Sequence, residues 1–498
     1  MFAKATAAPP RHFYLADRES VGVRVAAVVS AFVPMVLSKI PILHGIMEKI
    51  GVGMAMSRNW DDPPMQILLT LAGGAAVLIV GEYYIATRLG AAYMMLPLIV
   101  CYLYYHFVAM STPPADTKKY LEFKNAKVAA KWGKNKIPMH ILVAEFLNDN
   151  VAFKGDCYEI LANHRQEFID WRPDFGLISF ILAQLIPITS SSFKSIAATA
   201  HEIADHYDRG NDFFNAFLGP KMIYTSAFYQ GLDQTLEQAQ VNKLNMLCEK
   251  VHLKEGQTFL DIGCGWGTLV RHAASKFKAK ATGVTLSAEG AAWCRAQAKK
   301  EGLSEVQCEI LNCDYREIPK DRTFDAISAV EMAEHVGIAN FQLFLGSVRS
   351  MLKDEGLFYM QVAGLRKGAN WEDTQWGLFM SRYIFPGADA STPLYWYIKQ
   401  LELAGFEVHS VETVGRHYSH TLHAWYDNWM TNKDSPELAS YPSRLKRLWE
   451  LFLAWSTVAA GIGSATCYQI VCHKNMYSFP RDIFTTAESA GTRTMLRT

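Results

Sequence analysis

The densest run of potential chemistry in the chain is Leu260-Asp261-Ile262-Gly263-Cys264-Gly265-Trp266-Gly267-Thr268. A short β-type run precedes it and a helix-length segment follows, the context in which a glycine-rich turn holds a nucleotide. Glycines let the backbone turn tightly and approach a ligand closely. The carboxylate of Asp261 argues against a pyrophosphate ligand and suits one with a cationic amino-acid end. S-adenosylmethionine has such an end. A lone turn of this kind also arises as an ordinary strand–helix connection, so its weight rests on what accompanies it.

Three further groups of residues accompany it. Upstream lies His206-Tyr207-Asp208-Arg209-Gly210-Asn211-Asp212-Phe213, then Met222-Ile223-Tyr224-Thr225-Ser226. Downstream lies Val330-Glu331-Met332-Ala333-Glu334-His335-Val336-Gly337. Glu331 and Glu334 are three residues apart, so one helical turn would place both on the same side. Either could equally cap a helix or pair with a base, and His206 and His335 read as well as core histidines. Trp371, Trp376, Tyr383 and Phe385 read either as an acyl tunnel or as ordinary core.

From Lys250 onward, short β-type runs alternate with helical ones. Thr258–Ile262, Ala281–Leu286, Val306–Leu311, Ala326–Val330, Leu357–Val362 and Phe406–Val411 read as strands. Gly267–Lys276, Ala288–Lys300 and Asn340–Leu352 read as helices. This alternation predicts an α/β fold, Rossmann-like, with a mostly parallel sheet and helices on both faces. Ligands in such sheets bind at the carboxyl ends of the strands. The last apolar region, Leu448–Val471, is diluted by Ser456, Gly461, Gly463, Ser464 and Thr466, and is expected to be a buried helix pair rather than a membrane span.

The 498-residue chain carries a net charge of only +1, without the clustered basic excess that nucleic-acid binding requires. Its nine cysteines lack paired spacing, so neither a disulfide framework nor a metal site is signalled. Between Met65 and Val108 the only formal charges are Glu82 and Arg88. Two runs there approach the ~20 apolar residues that span a bilayer, and tyrosines lie near their ends. Residues 65–110 are therefore expected to be a helical membrane hairpin. Residues 1–64 precede it and include the Val25–Leu37 run, short enough to lie at an interface. Lys118, Lys119, Lys124, Lys127, Lys131, Lys134 and Lys136 follow the hairpin, which places the rest of the chain in the cytosol. A helical linker region is expected over 111–199, the catalytic domain over 200–485 and a tail over 486–498.

Over about Ala200 to Ile483 these blocks resemble, in order, the cyclopropane-fatty-acid and mycolic-acid synthase family of S-adenosylmethionine-dependent methyltransferases. Within it the chain is most similar to the fungal-type sphingolipid C-9 methyltransferases, which also carry an N-terminal membrane hairpin. The resemblance implies a class I methyltransferase domain and a role for each matching residue. Tyr224 and Thr225 would cover the cofactor. Asp261, Gly263, Gly265 and Gly267 would hold its methionine end, within a turn completed by Leu260, Cys264 and Trp266. Thr285 and Leu286 would contact ribose and adenosine, while Tyr315, with Arg316 beside it, would lie by the adenine. Glu334 and Tyr418 would line the reaction centre, with His206 from the upstream block.

The sequence also departs from the family pattern. Gln361 stands where a histidine helps to hold bicarbonate at the reaction centre, and Ser226 replaces a cysteine of that site. Both changes put bicarbonate binding in doubt. Gly290 replaces a glutamine that contacts the cofactor. The implied activity is methylation of carbon 9 of a Δ8-unsaturated sphingoid base, in glucosylceramide or ceramide, at the endoplasmic reticulum. With the histidine gone, a methyl-branched alkene is favoured over a cyclopropane. The alternatives are an enzyme acting on unsaturated phospholipid chains and an inactive lipid-binding relative.

Overall fold

A computed structural model describes residues 112–173, 177, 209–319, 321–366, 370–385 and 392–476. The expected hairpin over 65–110 and His206 lie outside these residues. Among the described residues no helix is long and apolar enough to cross a membrane.

The central element is a seven-stranded sheet of β5 (Thr258–Ile262), β6 (Lys280–Thr285), β7 (Cys308–Asn312), β8 (Phe324–Val330), β9 (Leu352–Leu365), β10 (Phe406–Thr413) and β11 (Ala465–Lys474). The spatial order is β10-β11-β9-β8-β5-β6-β7. Strands β7, β6, β5, β8 and β9 run parallel. Strand β11 is antiparallel to both β9 and β10. The strand order reverses between β5 and β8, where Asp261 pairs in register with Ser328. The carboxyl ends of these two strands open the crevice in which a ligand belongs.

Helices cover both faces. On one side α5 (Leu236–Lys250), α6 (Thr268–Lys276) and α7 (Ala288–Lys300) bury Leu244, Leu247, Val270, Ala291 and Cys294. On the other, α8 (Phe341–Met351) and α10 (Leu394–Leu403) bury Phe344, Leu345, Val348, Tyr397 and Leu401. Local sequence starts these helices. Thr235 and Gln238 form a reciprocal capping box at α5, and Ser287 caps α7 through the Gly290 amide.

A third core joins residues 112–173 to the helices around the site. It unites α2 (Met139–Leu147), α3 (Cys157–Phe168), α4 (Asn211–Leu218), α9 (Trp371–Phe379), α11 (Gly415–Asn432) and α12 (Ser443–Gly461). Four tryptophans, Trp425, Trp429, Trp449 and Trp455, are fully buried there. The stretch expected to be a helical linker also contains α1 (Ala126–Trp132) and two small sheets: β1 (Leu121–Phe123) pairs with β3 (Val151–Phe153), and β2 (Ile137–Pro138) with β4 (Ile169–Asp170).

Two expectations are corrected. Leu448–Val471 is one helix and one strand, not a helix pair. Helix α12 stops at Gly461, Gly463 turns the chain at φ +75°, and the β-branched and aromatic run after it pairs on both edges as β11. Val306 is exposed and precedes its strand, which begins at Cys308.

Candidate active site

The glycine turn links β5 to α6 through three left-handed glycines, with φ of 78° at Gly263, 53° at Gly265 and 69° at Gly267. They serve different ends. A Cβ on Gly267 would lie 2.0 Å from the Cys294 sulfur, so this glycine packs α6 against α7. A Cβ on Gly265 would meet nothing within 4 Å, because that position faces the cavity. Gly290 lets α7 close on the turn, since a side chain there would meet the Gly265 carbonyl at 2.7 Å.

The cavity lies over the carboxyl ends of β5, β6 and β8. Tyr224, Thr225, Asp261, Gly263, Cys264, Gly265, Trp266, Thr285, Leu286, Tyr315 and Arg316 all line it. Leu260 and Gly267 stand behind this wall, one in the sheet core and the other in the helix junction. Glu334, Gln361 and Tyr418 also stand behind it, whereas Glu331 and His335 are on it.

Asp261 is buried at 3% exposure and accepts a hydrogen bond from Ser328 Oγ at 2.7 Å. Desolvation pushes its pKa up to about 7, against the lowering effects of Ser328 and the Lys243 ammonium. A carboxyl group under this strain gains most from a cation placed beside it. Lys243 reaches in from α5, donates to Thr225 Oγ1 at 2.5 Å, and is itself depressed by burial. Glu331 and Asp261 partly offset that depression.

Trp266 Nε1 donates to Asn211 Oδ1 at 2.6 Å, and its ring packs on Phe214. The upstream block is thereby tied to the glycine turn. Tyr224 sits among Phe214, Phe217, Phe385 and Trp425, at centroid distances of 5.5–6.0 Å. Tyr315 packs edge-on against Phe344, and its hydroxyl pKa is pushed up to about 12 by burial. The Arg316 guanidinium lies over the Tyr315 ring and is held by Asp314, which also lines the cavity. Strand β6 ends without a carboxylate, and Asp314, just after β7, lines the cavity on that side, whereas Glu289 does not.

Glu331 lies one residue beyond β8, at φ 52°. Its Oε1 accepts from the Ser226 amide at 2.9 Å and from Gln361 Nε2 at 2.6 Å; its Oε2 accepts from the Tyr418 hydroxyl at 2.8 Å. Burial and the nearby Glu331 charge raise the Tyr418 pKa well above its ordinary value. Glu334 turns the other way and accepts from the Ala363 amide of β9. His335 is half-buried on the cavity wall, and desolvation lowers its pKa to about 4. Trp376 and Tyr383 pack in the third core, where Trp376 Nε1 donates to Ser456.

Lys243 and Asp314 escaped the sequence reading. A signal for Lys243 was present: Leu236, Ala239, Gln240, Lys243, Leu244 and Leu247 form the buried stripe of α5 at helical spacing. A lysine in that stripe must meet a buried charge.

A parallel sheet with β11 inserted antiparallel, a glycine turn after β5 and a strained carboxylate facing an open cavity define a class I S-adenosylmethionine-dependent methyltransferase. The donor set fits that cofactor: Asp261 awaits a cation, the Gly265 face is open, and Thr285 and Tyr315 flank the space beyond. The sequence profile of the mycolic acid cyclopropane synthetase family matches residues 194–470. A protein of Gibberella zeae named sphingolipid C9-methyltransferase 2 is 46% identical over 74% of this chain and 71% of its own length. The sphingolipid C9-methyltransferase of Komagataella phaffii is 40% identical over 86% of this chain and 90% of its own. Among solved structures, a mycolic acid cyclopropane synthase complexed with SAH and CTAB superposes with a TM-score of 0.52, at 25% identity over 55% of this chain and 98% of that one. The chain belongs to the mycolic acid cyclopropane synthetase family, on the branch of the sphingolipid C9-methyltransferases.

Proposed function

We propose that the chain transfers a methyl group from S-adenosylmethionine to carbon 9 of a Δ8-unsaturated sphingoid base, within glucosylceramide or ceramide, and yields a methyl-branched alkene. The observation that carries this reading is likeness, over most of both chains, to two proteins of that name. The site chemistry agrees with it. Bound donor supplies an electrophilic methyl on a sulfonium, so the protein's tasks are to hold the two partners in line, exclude water and stabilise positive charge on carbon. Asp261 and the Gly263–Gly265 backbone would hold the amino-acid end of the donor, and Thr285 and Tyr315 its nucleoside end. The ring of Tyr224, on the cavity wall, offers an aromatic face to a cationic carbon, a contact worth about 2 kcal/mol when desolvated.

The acceptor is a membrane lipid, and the apolar segment 65–110 supports anchorage by a hairpin in the endoplasmic reticulum, with the catalytic domain on the cytosolic side. Resistance of the protein to alkaline carbonate extraction from that membrane would support the anchor; release into the supernatant would overturn it.

To test the reaction, detergent-purified protein is incubated with methyl-labelled donor, a Δ8-unsaturated glucosylceramide and an unsaturated phosphatidylethanolamine. Mass spectrometry after double-bond cleavage then locates the label. A methyl on carbon 9 with the double bond retained is expected. Label in the phospholipid with its double bond lost would make the chain a cyclopropane synthase.

A further inference from the structure

We propose that Glu331 is the general base of this reaction and removes the proton that the methylated lipid must lose. The inference rests on the reading of the chain as an alkene methyltransferase. Three donors from three separate elements converge on one carboxylate: the Ser226 amide, the Gln361 side chain on β9 and the Tyr418 hydroxyl on α11. Two of the donors are fixed from behind. The Ser226 segment is docked on α11 through the Ala227 amide to Thr421 Oγ1 at 3.0 Å and the Tyr229 amide to His417 Nδ1 at 3.1 Å. Gln361 Oε1 accepts from the Tyr359 hydroxyl at 2.8 Å and from Gln469 Nε2 at 3.2 Å, which turns its amide hydrogens toward Glu331. The Glu331 amide donates to the Gln361 carbonyl at 2.7 Å and pins the residue in a left-handed conformation that non-glycine residues rarely adopt. Local strain of this kind collects at functional sites.

The two carboxylate oxygens are loaded unequally. Oε1 takes the Ser226 and Gln361 donors and a long thiol contact from Cys467 at 3.7 Å, whereas Oε2, among the described residues, takes only Tyr418. A carboxylate has about four lone-pair sites, so Oε2 keeps one for a proton. Glu331 is on the cavity wall and Glu334 is not, which selects between the two acids.

The chemistry then balances. The alkene π pair forms the bond from carbon 9 to the methyl carbon, the carbon–sulfur bond breaks, and its pair leaves with sulfur. Positive charge develops at carbon 8. Glu331 Oε2 takes the proton from carbon 9, and the released C–H pair restores the double bond between carbons 8 and 9. A proton beside a carbocation is strongly acidic, so a carboxylate is base enough. The chain's own carboxylate occupies this three-donor position, so the reaction needs no external anion as base.

Glu331→Gln and Glu331→Ala variants of the full chain are tested on whichever unsaturated lipid the unsubstituted protein methylates, so loss of the sphingolipid reading leaves this test intact. Glu331→Gln should lose about 10²-fold or more in turnover, the range of general-base catalysis, with calorimetric affinity for S-adenosylhomocysteine within about threefold. Formate, a carboxylate small enough for the space vacated in Glu331→Ala, should restore about tenfold of the lost rate and leave the unsubstituted protein unaffected. Should Glu331→Gln fail to fold, formate rescue of Glu331→Ala decides. Turnover of Glu331→Gln close to that of the unsubstituted protein, absence of formate rescue, or loss of the unsubstituted protein's activity in bicarbonate-free buffer would each overturn the proposal.

Discussion

Replacing Asp261 by asparagine separates the cost of burying a carboxyl group from its use in holding the donor. In the donor-free protein, burial raises the Asp261 pKa from 3.8 to about 7. A group whose folded pKa lies above its unfolded value contributes stability that is complete below the unfolded pKa and is lost as pH rises through the folded one. At about 1.4 kcal/mol per pH unit, the interval from pH 5.5 to about 7 removes roughly 2 kcal/mol from the folded state, and nothing further is lost by pH 8. Asparagine keeps an acceptor for Ser328 Oγ but cannot ionise. The stability difference between Asp261→Asn and the unsubstituted protein should therefore move in favour of the variant by roughly 2 kcal/mol between pH 5.5 and pH 8. Donor affinity should move the other way. Loss of a hydrogen bond to a charged group costs roughly 1.5–3 kcal/mol, which is about 10- to 150-fold in Kd. Denaturant unfolding at the two pH values, paired with calorimetric titration of S-adenosylhomocysteine, measures both. A stability difference that is the same at pH 5.5 and pH 8 would refute the burial argument, and unchanged affinity would remove Asp261 from the donor site.

Other substitutions probe the rest of the frame. Gly267→Ala places a Cβ 2.0 Å from the Cys294 sulfur at a left-handed position, so it should cost about 3 kcal/mol or more in urea unfolding. Gly265→Ala meets open space and should cost only about 1–2 kcal/mol for its φ, while weakening donor binding in the same titration. Lys243→Met leaves Asp261 and Glu331 without a neighbouring buried cation and should destabilise the protein by about 3–5 kcal/mol at pH 8. Burial lowers the His335 pKa from 6.5 to about 4, so stability present above pH 6.5 is lost as pH falls toward 4; His335→Phe should flatten that acid limb of the unfolding profile by roughly 3 kcal/mol.

Local sequence marked the glycine turn, the acid before it and the alternation of strands and helices, because these depend on contacts within a few residues. Glycines at 263, 265 and 267 specify a left-handed path that other residues resist, and Asp261 at the end of a short apolar run lies at the end of a strand. The residue blocks around Tyr224, Glu334 and Tyr418 were joined into one site by family resemblance alone, and the hydrogen bonds among Glu331, Gln361 and Tyr418 were not legible there.

Tertiary structure decided the rest. A short apolar run such as Cys467–Cys472 does not declare itself helix or strand; pairing with β9 and β10, from distant parts of the chain, made it a strand. The stripe of α5 marks Lys243 for burial, but only the packing of that stripe over the carboxyl ends of the sheet decides which charges it meets. By spacing alone Glu331 and Glu334 would share one face of a helix, and the family resemblance put Glu334 at the reaction centre. The structure separates them, because the Glu331 amide bonds to the Gln361 carbonyl and turns the chain left-handed at that residue. One carboxylate is thereby sent to the cavity and the other to the Ala363 amide. The direction of a side chain follows the backbone torsions at its own residue, and here those torsions are set by a strand thirty residues away.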